Sequence, residues 1–372
     1  MSFRKKISKS YANYRGYSLN KKVVVIESDD WGSIRSLNEG VVKKAMNKGF
    51  RLDNKFACYD GLERTTDLEH LFETLSSVKD REDNPAVITA LTLTGNPDFD
   101  KINLSHGVYE FQELEKTYNY YNEPKLLDFW KKEGINKNLL FPQFHGREHL
   151  HPDHWLHVLK EGNGPERFAF ENKSIFGLSY ASRDNEFLAA LEYRSEKEKL
   201  IIEERTIDGL ALFEKIFGFR SVSFCPPQSI FGPHLHNLLV NNGVRYCQSG
   251  QHFVPTPPAL MKKNYFWGQS SKECVDLKFW RRNCTFEPYN NLDKDHINSC
   301  LKDISLAFRF GKPAVINSHR INYTSRINPR IRDFSLVSLK RLLERILVIW
   351  PDVLFLNSAQ LAAELDMKLI KS

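Results

Sequence analysis

Residues 22–32 read KVVVIESDDWG, in which a run of β-branched apolar residues leads directly into two adjacent aspartates. Such a short, continuous run predicts a strand that is buried on both faces, as in a parallel sheet covered by helices. Functional side chains gather at the carboxyl ends of such strands. Two neighbouring carboxylates repel each other there unless a cation or a proton lies between them. Asp29 and Asp30 are therefore candidate functional residues, with an exposed turn or a helix N-cap as the alternative.

The rest of the chain repeats this alternation of strand and helix patterns. Further strands are predicted at 85–93, 138–144, 221–225, 244–247, 314–318 and 353–356, and helices at 66–78, 125–132, 185–217, 233–242, 294–310 and 336–350. Alternation of this kind predicts an α/β protein with a mainly parallel sheet, either open or closed into a barrel. The aromatic-rich stretches 96–122 and 163–183 are expected to be long loops. No linker interrupts the pattern, so we expect one domain at 21–368 after a basic extension at 1–20.

Composition excludes several classes of protein. The 372 residues carry a formal net charge of +7, with 41% hydrophobic and 27% charged residues, which is ordinary for a globular chain. No apolar run is long enough to span a bilayer, and the basic N-terminus lacks the apolar segment of a signal peptide. Six cysteines without a CxxC pair predict reduced thiols, so a cytoplasmic location is expected. The basic residues are dispersed and form no recognisable nucleic-acid-binding module, so no nucleic-acid partner is expected.

A histidine-rich segment, HGREHLHPDH at 145–154, follows the predicted strand 138–144. His145 and His149 are four residues apart, so on one helical turn they would share a face and could bind one metal ion. Three further histidines occur by residue 157 and compete for this role. Surface positions around a helix start are the alternative for those three.

A third strand, 314–318, ends in the sequence Asn317-Ser318-His319. A single histidine at a strand end is commonly a packed or capping residue, but here it would join two other clusters at the same rim. One carboxylate and two imidazoles with an open position form a catalytic metal site of the zinc type. The second carboxylate could then take a proton from water, and a further histidine could donate one to a leaving group.

Taken in chain order, these residues resemble the motifs of the polysaccharide deacetylase superfamily, the carbohydrate esterases with a NodB-like homology domain. The T-F-D-D-G motif of that family corresponds to ESDDWG at 27–32, and its H-S-x-x-H-P motif to His145 and His149, with the proline arriving late. Its R-x-P-Y motif corresponds to FCPP at 224–227, without the arginine and the tyrosine. Its last motif, a strand ending in L-x-H, corresponds to 317–319.

The resemblance implies a single distorted parallel (β/α) barrel of about seven strands. It also implies metal-dependent removal of an N-acetyl group from an amino sugar. Asp29 would be the general base and His319 the general acid, while Asp30, His145 and His149 would hold a divalent metal ion, with Zn²⁺ expected. The expected partner is an acetylated amino-sugar substrate, either polymeric or carrier-linked, as in polysaccharide biosynthesis.

Four residues are expected to contribute to substrate binding: Trp31, Phe224, Arg281 and Arg282. The two aromatic side chains could stack on a sugar ring, with core packing as the alternative for Phe224. Arg281 or Arg282 is further expected to orient Asp29, the role that the missing motif arginine leaves vacant.

Two alternative functions remain open from the sequence. A glycoside hydrolase on a related barrel would use paired carboxylates that flank the glycosidic bond, with Asp29 or Glu287 as candidates, and its activity would survive chelation. A non-catalytic glycan-binding or assembly protein would keep the barrel without turnover. The missing motif arginine favours the binding protein, whereas the combination of aspartates and histidines favours an enzyme.

Overall fold

The computed structural model describes residues 10, 13–52, 54–176, 187–250, 252–257 and 265–371. The strands in this part of the chain are β1 (Val23–Trp31), β2 (Ile88–Leu93), β3 (Gly95–Pro97), β4 (Phe111–Glu113), β5 (Leu140–Gly146), β6 (Ser223–Phe224), β7 (Ile230–Phe231), β8 (Tyr246–Ser249), β9 (Val254–Pro255), β10 (Gln269–Ser270), β11 (Lys278–Arg281), β12 (Cys284–Thr285), β13 (Ala314–His319) and β14 (Leu354–Phe355). The α-helices are α1 (Glu39–Asn47), α2 (Lys55–Tyr59), α3 (Thr65–Ser76), α4 (Leu114–Tyr120), α5 (Leu126–Phe129), α6 (Pro152–Glu161), α7 (Pro165–Glu171), α8 (Glu196–Phe217), α9 (His236–Asn241), α10 (His296–Arg309), α11 (Pro329–Ile349) and α12 (Ser358–Lys371).

Ten of these strands form one sheet in the order β10-β11-β8-β6-β5-β2-β1-β13-β12, with β14 beside the start of β1. Neighbouring strands are parallel except for β10 and β11. The predicted α/β class with a mainly parallel sheet is therefore confirmed. The strand count exceeds the predicted seven because β10, β11 and β12 lie in a polar, aromatic segment without a continuous apolar run.

The predicted barrel is not closed, because no ladder in the described part of the chain joins the two ends of the sheet. However, β11 lies near one end and β12 at the other, and the chain connects them through Arg282 and Asn283 alone. A two-residue link spans about 10 Å at most. The sheet therefore curves until its two sides meet at this link, which we call the seam. Asn283 links the seam to the start of β13, because it accepts a hydrogen bond from the Val315 N–H and donates one to the Pro313 carbonyl.

The helices mostly start and end near the predicted positions, and their caps explain where they differ. The helix predicted at 185–217 begins only at Glu196, because the Ser195 side chain caps it by accepting a hydrogen bond from the Glu198 N–H. It ends at Gly218, whose φ of 81° suits a left-handed C-terminal residue. The stretch 96–122 was expected to be one long loop. Instead, β3 pairs with β4 there and α4 follows.

Some sequence expectations fall partly outside the described residues. Helix α7 occupies part of the stretch 163–183, and residues 177–186 are not among those described. Residues 1–9 of the expected basic extension are also not described, whereas Leu19 donates a backbone hydrogen bond to Gly311. The expected domain boundary stays a prediction.

None of the six cysteines, all of which lie in the described part of the chain, forms a disulfide. This agrees with the reduced thiols predicted from their spacing. No described helix has both the length and the apolar character needed to cross a membrane.

A buried ionic network joins the loops that follow β1 and β13. Arg320 is completely buried and donates hydrogen bonds to the carboxylates of Asp60 and Glu63. Glu63 also accepts hydrogen bonds from the Gly32 N–H, at 2.8 Å, and from the Tyr118 hydroxyl, at 2.5 Å. The position of the loop after β1 therefore depends on the charge of an arginine after β13.

We predict that Arg320→Ala destabilises the protein by about 3–5 kcal/mol, because it leaves two buried carboxyl groups without their cation. Denaturation with urea, followed by circular dichroism, measures this change in the free energy of unfolding. Arg330→Ala is the control, since Arg330 is exposed and its replacement is expected to change stability by about 0.5 kcal/mol or less. Equal, small effects of the two substitutions would contradict a supporting role for the network.

Candidate metal and hydrolytic site

Strand β1 departs from regular geometry at its two aspartates. In a regular strand consecutive side chains point to opposite faces, so Asp29 and Asp30 would point apart. Asp30 instead has a φ of 75°, and the pairing of β1 with β2 shifts register between Ser28 and Trp31. A left-handed backbone at a residue other than glycine costs about 1–3 kcal/mol. This irregularity places both carboxylates in the wall of one cavity.

The cavity has a volume of about 500 Å³ and lies at the carboxyl ends of β1, β5 and β13. This volume is within the usual range for small-molecule sites. The sequence-predicted residues that line it are Asp29, Asp30, His145, His149, Arg282 and His319. Phenylalanine side chains at positions 56, 176 and 187 form an aromatic part of the wall.

Asp30, His145 and His149 bring three ligand atoms together. The Asp30 Oδ1 atom lies 3.7 Å from His145 Nε2 and 3.5 Å from His149 Nε2. Ligand bonds of about 2.0–2.1 Å in tetrahedral geometry place two ligand atoms about 3.3–3.4 Å apart. Asp30 Oδ1 and His145 Nε2 are buried and have no hydrogen-bond partner in the described structure. Orphaned buried polar atoms in this arrangement fit a divalent cation.

The spacing of His145 and His149 suggested that they share a face of one helix, but they do not. His145 lies in β5 and His149 in the turn that follows, with Gly146 between them at a φ of 122°. His145 Nδ1 lies 2.6 Å from the Cys225 carbonyl, so it donates there and leaves Nε2 as the ligand atom. Burial, and next the charge of Arg35, lower the pKa of His149 to about 3. The His149 imidazole is therefore neutral and able to bind a cation at neutral pH.

The neighbouring histidines form a different structure. Ligand atoms of His151, His154 and Glu198 also lie within 4.8 Å of one another. However, the two imidazole rings stack at 3.8 Å with an angle of 13° between their planes. Imidazole lone pairs lie in the ring plane, so nearly parallel rings cannot both direct them at one ion. His151 instead caps α6 by accepting a hydrogen bond from the His154 N–H, and His157 is exposed.

Asp29 is held by two cationic side chains rather than by the three candidate ligands. The Arg282 guanidinium donates a 2.5 Å hydrogen bond to Asp29 Oδ1, and His319 Nε2 lies 3.6 Å from Oδ2. Burial raises the pKa of Asp29, but Arg282 and then His319 outweigh it and hold the pKa below its usual value. Asp29 is therefore ionised at neutral pH. Arg282 reaches it from the seam, whereas Arg281 does not line the cavity.

Glu287 is a site residue that the sequence offered as a glycosidase carboxylate and within the polar segment 280–288, which was expected to supply a partner for His319. Its Oε1 atom lies 2.5 Å from His319 Nδ1, and its Oε2 accepts a hydrogen bond from Asn322. Burial lowers the pKa of His319, but the Glu287 carboxylate outweighs this and raises it to about 9. His319 therefore carries a proton at neutral pH. Glu287 lies 32 residues before His319, a separation that gives no motif signal.

Trp31 and Phe224 belong to the core and not to the cavity. This overturns the expected stacking of Trp31 on a sugar, whereas Phe224 takes the core-packing role that was its alternative. Trp31 is completely buried, donates its indole N–H to the Ser28 hydroxyl and packs against Trp130 at 5.9 Å. Phe224 is also completely buried and stacks on Phe144 at 5.4 Å. Any stacking on a sugar ring would therefore fall to the phenylalanines that line the cavity.

We predict different effects of the two aspartate substitutions on metal content. Asp30→Asn should reduce bound metal, because it removes the charge of a proposed ligand, whereas Asp29→Asn should retain it. Elemental analysis after loading with Zn²⁺ and dialysis measures this difference. His157→Ala, at an exposed histidine, should bind as much metal as the wild type. Equal loss in both aspartate variants would contradict the division of roles.

We predict that Glu287→Gln lowers the pKa of His319 from about 9 toward its ordinary value of 6.5, because the main influence that raises it is removed. An NMR titration of the imidazole resonances of metal-free protein measures this without any activity. Glu115→Gln, at an exposed glutamate, is the control and should leave the His319 titration unchanged. An unaltered titration in Glu287→Gln would show that the carboxylate does not set the protonation of His319.

No protein-family model and no curated protein matches the chain. Among solved structures, the chain is similar to a protein from Mycobacterium smegmatis assigned as a polysaccharide deacetylase, at 11% identity and a TM-score of 0.48 over 95% of this chain and 93% of that one. It is also similar to a protein from Parabacteroides distasonis assigned as a glycoside hydrolase/deacetylase. The identity is 9% and the TM-score 0.49, over 94% of this chain and 72% of that one. A third similar structure is that of a CE4 family pseudoenzyme from Bacillus anthracis. The identity is 12% and the TM-score 0.40, over 93% of this chain and 67% of that one.

Proposed function

We propose that the chain is a metal-dependent hydrolase that removes an N-acetyl group from an amino sugar, in a glycan or a carrier-linked saccharide. This proposal rests on the different partners of the two adjacent aspartates. Asp30 faces two imidazoles, whereas Asp29 faces Arg282 and His319. A site that only holds a structural cation needs the first group and has no use for the second.

Asp30, His145 and His149 would hold the divalent ion, which when bound supplies a lowered pKa for water and polarisation of the acetyl carbonyl. Asp29 takes a proton from the water molecule that attacks the acetyl carbon, as the new C–O bond forms. Arg282 fixes the orientation of this carboxylate and lowers its pKa, so it is ionised and ready to accept.

His319 completes the reaction by protonating the departing amine nitrogen while the C–N bond breaks. The products are acetate and a free amino group on the sugar. Glu287 holds the imidazolium through Nδ1, so the other nitrogen, Nε2, remains to donate this proton. Oδ2 of Asp29 and Nε2 of His319 are 3.6 Å apart, which is beyond hydrogen-bond distance, so the proton taken by Asp29 returns to His319 through a relaying water molecule. Both residues regain their starting protonation in this way.

The geometry disfavours a glycosidase that uses Asp29 and Glu287 as its carboxylate pair. Asp29 approaches His319 from Nε2 and Glu287 approaches it from Nδ1, so the imidazole lies between the two carboxylates. A glycosidase needs the glycosidic bond in that space. The binding-protein alternative rested on the missing motif arginine, and Arg282 supplies a guanidinium to Asp29 from the seam.

We predict that metal-loaded protein releases acetate from N-acetylated amino sugars. A panel of free, nucleotide-linked, lipid-linked and oligomeric substrates, with acetate measured enzymatically, tests this. Asp29→Asn and His319→Gln should each lower turnover by about 10²–10⁴-fold, since each removes a proton-transfer step. His157→Gln is the matched control at an exposed histidine and should retain turnover.

Two results would contradict the proposal. Turnover that persists after complete chelation would exclude metal dependence. Absence of acetate from every substrate, with metal demonstrably bound, would favour the glycan-binding alternative.

A further inference from the structure

Arg35 is a buried cation in the cavity wall that the proposed reaction has not yet used. Its side chain is 7% exposed, and it lines the same cavity as the two aspartates. Its nearest carboxylate contacts are Asp30, with Nη2 to Oδ1 at 3.6 Å, and Asp60, with Nε to Oδ2 at 4.0 Å. Both distances are too long for hydrogen bonds, and Nε has no hydrogen-bond partner in the described structure. A buried guanidinium with an unmet donor is costly unless a ligand completes it.

Two other donor side chains of the described cavity wall already have carboxylate acceptors. Arg282 donates to Asp29, and Asn317 donates to Glu287. Pro226 lines the cavity but has no backbone N–H to offer. His319 is reserved for the leaving amine in the proposed reaction. Of the charged donors that line the cavity, Arg282 and His319 already have roles in the proposed reaction, whereas Arg35 does not.

The position of Arg35 beside Asp30 decides which ligand it suits. Asp30 Oδ1 would be shared between a divalent cation and the guanidinium, and two cations on one carboxylate oxygen repel each other. An anionic oxygen that reaches both would relieve this repulsion. A neutral acetamide brings no such charge, but its carbonyl oxygen becomes negative when water adds to the carbon. Donors placed for that charge stabilise the transition state more than the substrate.

We propose that Arg35 is a catalytic residue that donates a hydrogen bond to the acetyl oxygen as this oxygen becomes negative. The inference rests on the proposed hydrolysis. When the water oxygen bonds to the acetyl carbon, the π-electron pair of the carbonyl moves onto its oxygen, and it returns when the C–N bond breaks. Arg35 keeps its proton throughout and contributes charge and hydrogen bonds alone.

Kinetics of Arg35 variants test the role in metal-loaded protein. Arg35→Met should lower kcat by about 10²–10³-fold, the loss expected for one oxyanion donor, while KM changes only a few-fold. Arg35→Lys keeps the charge and should recover part of this loss. Arg326→Met is the control, because Arg326 is mostly buried but does not line the cavity. It should change the thermal midpoint without lowering kcat.

Equilibrium binding gives a readout that is independent of turnover. We expect Arg35→Met to bind methylphosphonate, a tetrahedral anion, at least tenfold more weakly than the wild type by isothermal titration calorimetry. Binding of neutral acetamide should be unchanged. Wild-type affinity for methylphosphonate in Arg35→Met, with metal content equal, would overturn the proposal. Loss of bound metal in both Arg35→Met and Arg35→Lys would also overturn it, because Arg35 would then serve only to hold Asp30.

The binding result also separates this inference from the proposed function. If no substrate releases acetate but methylphosphonate binding still depends on Arg35, the deacetylase proposal fails and the anion-binding role of Arg35 stands. If acetate is released and Arg35→Met retains the wild-type kcat, the deacetylase proposal stands and the role of Arg35 fails.

Discussion

Strand β1 buries three carboxyl groups within four residues, and each of them must be neutralised where it lies. Glu27, Asp29 and Asp30 are 0%, 6% and 3% exposed. An ionised carboxylate in such a place costs several kcal/mol unless a cation or hydrogen bonds compensate it. Glu27 receives hydrogen bonds from Trp280 and Ser358, and burial raises its pKa to about 7. The compensation of these three groups links the shape of the sheet to the chemistry of the cavity.

That link is visible at the seam. Trp280 donates to Glu27 and Arg282 donates to Asp29, although 253 residues separate the partners in each pair. β11 and β1 are not neighbours in the sheet, so these bonds can form only because the sheet curves and brings them together. The Trp280 ring also packs in one cluster with Val23 and other residues of β1 and α12. Curvature and charge compensation are therefore a single requirement of this fold.

The sequence predicts those site residues whose position follows from parallel-strand geometry. It does not predict features that depend on a single backbone angle or on a partner distant in the chain. Asp29, His145 and His319 each follow a recognisable strand, and parallel strands bring such ends to one edge. The left-handed backbone of Asp30 has no sequence signature, because aspartate tolerates it without requiring it. The same irregularity turns Trp31 inward, so a tryptophan beside two candidate site residues does not reach the cavity.

Arg282 and Glu287 were harder to identify for a different reason. Both lie near the seam, in a mixed polar and aromatic segment whose strands are too short to give a periodic pattern. Their partners are distant in sequence, so only the folded sheet shows which arginine and which carboxylate are used. The arginine of the family motif is absent at the end of β6, and Arg282 reaches Asp29 from the seam.

The charges of the cavity balance one another, and this limits what it can bind. Arg282 and protonated His319 both lie beside Asp29, Glu287 binds the other side of His319, and Arg35 lies near Asp30, so three cations stand against three carboxylates. A divalent ion on Asp30 and the two imidazoles would therefore bring positive charge that no remaining side chain of the described lining offsets. A neutral sugar cannot supply the missing negative charge, whereas an ionised water and a developing oxyanion can. In the proposed hydrolysis, this charge balance would favour the charged stages of acyl transfer over the neutral substrate, which is the electrostatic condition for catalysis.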